Sequence, residues 1–119
     1  MVHYLFRKPV FPVICEIDGF VFAANSSKTL EKWLQTIPIG VKTTYDLVDS
    51  TAEGWSFMPE HMVVSPLTFK KNWTKKAVIA LCNGRKNMPD PDRKYSEKSL
   101  SSKRFDQIFS EIVELLHTK

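Results

Sequence analysis

Four lysines flank a short stretch of the chain that has the features of a helix start. They are Lys70, Lys71, Lys75 and Lys76, on either side of Trp73 and Thr74. Thr74 is a good N-cap, because its hydroxyl can accept a hydrogen bond from an otherwise unpaired amide of the first helical turn. The lysines add positive charge at the positive end of the helix dipole, where an anion would be attracted. The pattern therefore predicts a site in which amides and ammonium groups hold a phosphate or a carboxylate.

The basic stretch continues beyond this helix start. Residues 70–104 contain eleven basic and three acidic residues, and Arg85 and Lys86 extend the predicted anion-binding site along it. Residues 85–101 include two prolines and show no hydrophobic period, which predicts a mobile basic loop. A basic arm with one aromatic residue, here Tyr95, is the minimum for non-specific nucleic-acid binding. The alternative is that the lysines form an ordinary solvated face of the protein.

Acidic and aromatic residues are mixed in the middle of the chain. Residues 43–69 contain four carboxylates and neither lysine nor arginine. The candidate partner-binding residues in this stretch are Tyr45, Asp46, Asp49, Glu53, Trp55 and Glu60. Aromatic anchors ringed by charge are typical of a protein–protein hot spot, and such a surface can also imitate nucleic acid to a basic partner. The alternative is that the aromatics belong to the core, which the shared face of Trp55 and Phe57 favours.

The residue patterns that support catalysis or metal binding do not occur in this sequence. Cys15 and Cys82 lie in phase with apolar core positions, and a buried thiol has little of the thiolate form that reacts. His3, His61 and His117 are widely separated and lack the spacing of a metal site. Only four glycines are present, which excludes a glycine-rich phosphate loop. We therefore expect a protein that is not an enzyme and needs neither a metal nor a cofactor.

The elements that must position these residues are short strands and three helical stretches. Asp18-Gly19 predicts a two-residue hairpin turn between the strands Phe11–Ile17 and Phe20–Ala23. The apolar stripe over residues 105–116 predicts a final helix that faces a core. The predicted order is β-β-β-α-β-β-β-α-loop-α. This order indicates the α+β class, with an antiparallel sheet of about five to six strands and two to three helices on one face, as a single layer pair.

Length and charge limit the class of protein further. The chain has 119 residues, which fits a single domain over residues 1–119, and its formal net charge is +4. The start of the chain does not resemble a signal peptide, and no apolar run is long enough to cross a bilayer. Two isolated cysteines cannot form a disulfide framework. These features lead us to expect a cytoplasmic protein that does not bind a membrane.

The separation of charge along the chain, without catalytic residues, is typical of a protein that binds a partner. The first hypothesis is a small non-catalytic α+β protein that recognises a macromolecule, in the manner of an inhibitor or immunity-type protein that blocks one target protein. The alternative is a nucleic-acid-binding domain that uses the basic segment 70–104. A weaker alternative is an enzyme whose site has no recognisable pattern. The oligomeric state is left open by the sequence.

Overall fold

Short strands with apolar residues on both sides build the sheet of this protein. The computed structural model describes residues 2–36, 44–66, 72–86, 95 and 103–117. Within these ranges the strands are β1 (His3–Tyr4), β2 (Val13–Ile17), β3 (Phe20–Ala24), β4 (Tyr45–Asp49), β5 (Gly54–Met58) and β6 (Val63–Ser65). The helices are α1 (Ser27–Thr36), α2 (Lys75–Asn83) and α3 (Phe105–His117).

The described strands form one sheet in the order β1-β6-β5-β4-β2-β3. All neighbouring strands are antiparallel except β1 and β6, which are parallel. The predicted α+β class, with a sheet of about six strands and three helices, is confirmed. None of the helices in the described ranges is long and apolar enough to span a bilayer.

The hairpin between β2 and β3 has the turn that the sequence predicts. Asp18 and Gly19 have φ angles of 51° and 92°, and Ile17 pairs directly with Phe20. Positive φ at both central residues is the geometry of a type I′ turn, which matches the twist of the two strands. A Cβ atom at Gly19 would also lie 2.6 Å from the side chain of Lys86, so a larger residue there would require that side chain to shift.

The helices lie on both faces of the sheet rather than on one face, as the sequence had led us to expect. Val13, Cys15 and Ile17 of β2 pack in a core with α1, whereas Ile14 packs in a second core with α2 and α3. Because successive side chains of a strand point to opposite faces, the two cores lie on opposite sides of the sheet. Both faces of β2 and β3 are apolar, so each face needs helices to cover it.

The helix positions that the sequence predicts agree with the structure, since α2 begins directly after Thr74 and α3 spans Phe105–His117 against the predicted 105–116. The Thr74 hydroxyl accepts a hydrogen bond of 3.1 Å from the Ala77 amide, which confirms the N-cap of α2. Gly84 follows the last residue of α2. β1 is only two residues long, because the chain turns sharply after it. The predicted mobile loop at 85–101 lies largely outside the described residues.

Candidate functional site

The acidic and aromatic residues predicted to bind a partner do not form one surface. Tyr45 and Trp55 are buried in the core beneath α1, where no partner can contact them. Asp46 and Glu60 are exposed, on β4 and in the turn after β5. Successive side chains of a strand point to opposite faces, so the aromatic residues enter the core and the acidic residues face water. This alternation explains the positions of most of the set.

Asp49 is fully buried and organises the turn between β4 and β5. Its Oδ1 accepts hydrogen bonds from the Thr51 amide and hydroxyl and from the Glu53 amide, at 2.6–3.2 Å. Its Oδ2 accepts bonds from the Trp55 indole at 3.0 Å and the Val10 amide at 3.2 Å. A buried carboxylate with five donors is a structural group, since its lone pairs are used within the chain. Asp49 therefore does not contact a partner.

We expect Asp49→Ala to lower the free energy of unfolding by about 3 kcal/mol or more, because several buried donors lose their acceptor. The free energy of unfolding of Asp49→Asn should lie between those of the wild type and Asp49→Ala, because its side-chain oxygen still accepts hydrogen bonds. Urea unfolding of the three proteins measures the order. Asp46→Ala, an exposed carboxylate on the same strand, is the matched control and should change stability by less than about 0.5 kcal/mol. An Asp49→Asn variant as stable as the wild type would contradict this role.

The lysine-rich helix start is only partly described by the structure. Lys75 is half-buried, and its ammonium group donates a 2.9 Å hydrogen bond to the carbonyl oxygen of Lys103. Lys76 is exposed. Lys70 and Lys71 lie outside the described residues. The predicted anion-binding site at this helix start therefore remains a prediction, with Lys75 already bound to the chain itself.

Arg85 is buried, in contrast to the exposed position that an anion site would need. Its guanidinium donates to the Cys82 carbonyl oxygen at 2.6 Å and to the Cys82 Sγ atom at 3.1 Å. Burial raises the pKa of the Cys82 thiol, and the nearby guanidinium opposes this shift. Lys86 is exposed, and its amide donates to the Gly19 carbonyl at 2.7 Å. Arg85 thus stabilises the end of α2, and Lys86 alone of this pair reaches the surface.

Tyr95 attaches the basic segment to the two helices on its side of the sheet. The Asn83 side chain donates to the Tyr95 carbonyl at 3.0 Å and accepts from the Tyr95 amide at 2.7 Å. The Tyr95 hydroxyl donates to Glu111 at 2.7 Å, and Lys103 donates to the same carboxylate at 2.8 Å. Burial and the bond to Glu111 raise the pKa of Tyr95 to about 12. Hydrogen bonds from Lys103 and Tyr95 lower the pKa of Glu111.

The lowered pKa of Glu111 predicts a pH dependence of stability with a defined sign. Because the folded state binds the proton less tightly than the unfolded state, the stabilisation is complete above the ordinary pKa of 4.5 and is lost as the pH falls through the folded value. The stability difference between the wild type and Glu111→Gln should therefore shrink on acidification below about pH 4.5.

The direct measurement is an NMR titration of the Glu111 carboxyl carbon. Its midpoint should lie below 4.5 in the wild type and rise in Lys103→Met, which removes the principal hydrogen-bond donor. A midpoint that does not move in this variant would show that Lys103 is not the cause of the lowered pKa.

A cleft of about 450 Å³, where β1 meets the first turns of α1, was not found by sequence reasoning. We call it the N-terminal cleft. Its lining contains basic, aromatic and hydroxyl-bearing side chains and one carboxylate. The lining residues are Val2, His3, Tyr4, Phe6, Arg7, Lys8, Ser27 and Glu31.

Two contacts join β1 to α1 across the floor of the cleft. The hydroxyls of Tyr4 and Ser27 are hydrogen-bonded at 2.6 Å, and the Val2 amide donates to Glu31 Oε1 at 2.8 Å. Burial raises the pKa of the Tyr4 phenol. These two hydrogen bonds fix the positions of the Tyr4, Ser27 and Glu31 side chains that line the cleft.

At the mouth of the cleft the chain makes a strained turn centred on Phe6. The Arg7 amide donates to the Leu5 carbonyl oxygen at 2.7 Å, and Phe6 between them has a φ of 68°. This is the rare γ-turn with positive φ, which is costly for a residue with a bulky side chain. Phe6 is nevertheless 80% exposed.

Arg7 holds this turn against the body of the protein. Both terminal nitrogens of its guanidinium donate to the two carboxylate oxygens of Glu53. The guanidinium carbon also lies 4.9 Å from the centre of the Trp55 ring, within cation–π distance. Glu53, which the sequence placed in the acidic partner-binding set, is thus an internal partner of Arg7.

Exposed apolar side chains are concentrated next to the cleft. Leu5, Phe6 and Val10 are 41%, 80% and 52% exposed, and all three lie in residues 5–10, which we call segment 5–10. Phe20, at the edge of β3, is the other exposed large apolar side chain in the described part of the chain. One signal in the sequence points to this segment, since Arg7, Lys8 and a proline interrupt the alternation expected of a strand.

Among the described residues, no three His, Cys, Asp or Glu side chains are grouped to hold a metal ion. No protein-family model matches the sequence, and neither curated proteins nor solved structures give a match. The site is therefore interpreted from its own residues.

Proposed function

We propose that this protein binds another protein through segment 5–10 and the N-terminal cleft beside it. The single observation that carries this proposal is Phe6, a large apolar side chain displayed to water on a strained turn. The protein would then act as an inhibitor or immunity-type protein, as the sequence suggests, by covering a surface of its target protein.

The energetics of Phe6 favour a role outside the folded monomer. A residue held in a sparsely populated backbone conformation costs about 1–3 kcal/mol, and such strain is concentrated at functional sites. Burying a phenylalanine side chain contributes about 2 kcal/mol, which this residue does not gain while it faces solvent. A partner that covers Phe6 would supply the missing burial. Leu5 and Val10 would enlarge the same contact.

Hydrogen bonds at both ends hold segment 5–10 in place before any partner binds. The Leu5 amide donates to the Val64 carbonyl oxygen at 3.0 Å. At the other end, the Ser50 amide and hydroxyl donate to the Val10 carbonyl oxygen at 3.1 and 2.9 Å. Because the segment is already ordered, little conformational entropy is lost on binding, which favours affinity.

The first experiment places a photoreactive benzoylphenylalanine at position 6, with position 20 as the matched control. Phe20 is also an exposed aromatic, on β3 at the opposite edge of the sheet. Irradiation in cells that contain the natural partner should give a protein adduct at position 6 and not at position 20. A nucleic-acid adduct at position 6, or equal adducts at both positions, would contradict the proposal.

The second experiment is Phe6→Gly, tested on the partner identified by the adduct. Glycine adopts positive φ without strain, so the free energy of unfolding should stay the same or rise by about 1 kcal/mol. Binding should weaken about 30-fold, which corresponds to the loss of about 2 kcal/mol expected for an anchor residue. Calorimetry measures both quantities. Wild-type affinity in Phe6→Gly would refute the role of Phe6.

A further inference from the structure

The charged side chains of the N-terminal cleft are not equally available to a ligand. Arg7 is paired with Glu53, and Glu31 accepts the hydrogen bond from the Val2 amide. Lys8 is exposed and is in no salt bridge with any residue in the described ranges. Between the two basic side chains Arg7 and Lys8, Lys8 is therefore the one that can bind an anionic ligand without breaking an internal ion pair.

The aromatic ring beneath Lys8 orients its ammonium group. The Nζ atom lies 5.6 Å from the centre of the Tyr4 ring, which is within cation–π distance. Tyr4 is itself fixed by its hydrogen bond to Ser27. The ammonium is thus held at the lining of the cleft, which also contains Phe6. A cation next to an exposed aromatic ring matches a ligand that combines one anionic group with one apolar group.

The carboxylates around the cleft limit the kind of anion it can accept. Glu31 lines the cleft and Glu53 lies at its rim through Arg7. A nucleic-acid strand carries a phosphate on every nucleotide and would bring several negative charges close to Glu31, whereas the charge of Glu53 is already paired with Arg7. A peptide with one carboxylate next to an apolar side chain meets less repulsion, because it brings a single negative charge. The net charge of +4 also favours the approach of an acidic protein over a basic one.

We infer that the N-terminal cleft binds an acidic segment of a partner protein, in which an Asp or Glu carboxylate pairs with Lys8 and a neighbouring apolar side chain packs on Phe6. This inference rests on the proposed function and specifies the chemistry of the partner. The recognition needs no bond-breaking step, since the cleft supplies one ammonium group and one aromatic surface.

The test is a selection of short peptides from a random display library on the immobilised full-length protein. Selected peptides should contain an Asp or Glu next to an aromatic or aliphatic residue. Their affinity should fall about tenfold in Lys8→Glu, and a peptide whose acid is replaced by lysine should bind Lys8→Glu better than the wild type. Lys32→Glu is the matched control, because it makes the same charge change at an exposed lysine of α1 that does not line the cleft. It should leave affinity unchanged.

The outcomes separate this inference from the proposed function. Selected peptides without acidic residues, whose binding depends on Phe6 but not on Lys8, would overturn the inference and leave the proposed function standing. Peptides that bind Phe6→Gly as well as the wild type, or a selection that yields no peptide, would overturn both. Tighter binding of single-stranded oligothymidylate than of any selected peptide, lost in Lys8→Glu, would overturn the inference in favour of nucleic acid.

Discussion

The structure depends on one buried carboxylate, that of Asp49. A buried carboxyl group needs hydrogen-bond partners, and here five donors converge on it, four from residues 51–55 and one from the Val10 amide. They tie the β4–β5 turn to the Trp55 indole and to the Val10 amide that ends segment 5–10. The Trp55 indole in turn makes a cation–π contact with the Arg7 guanidinium. The Arg7 amide closes the γ-turn in which Phe6 is exposed to solvent. The exposed surface therefore depends on a residue that no partner contacts.

In the part of the chain that the structure describes, some of the charge segregated along the sequence is used within the molecule. Glu53 forms an ion pair with Arg7, and Arg85 is buried against Cys82. Charged side chains that are paired within the chain cannot attract a partner. The choice of partner would then depend on the few charged side chains that are not paired. At the N-terminal cleft this leaves Lys8 as the available cation.

Helices on both faces of the sheet also limit where a partner can bind. The apolar side chains of β2 and β3 point to both sides, and two cores cover them. Among the described residues, most large apolar side chains are consequently buried, and the exposed ones are Leu5, Phe6, Val10 and Phe20. The β1 edge combines exposed apolar groups with a cleft and a strained turn. Because helices cover both faces of the sheet, the β1 edge is where the proposed contact with a partner lies.

The sequence by itself determined the features that arise from neighbouring residues. Asp18 and Gly19 specify their turn, Thr74 specifies the start of α2, and the apolar stripe specifies α3, because each depends on local dihedral preferences or on helical periodicity. Only the tertiary structure decided which carboxylate meets Arg7, since Glu53 lies 46 residues away. Nothing in the local pattern distinguishes an acid that is buried or paired internally from one that faces water. The N-terminal cleft was therefore beyond prediction, because its walls come from segments that only folding brings together.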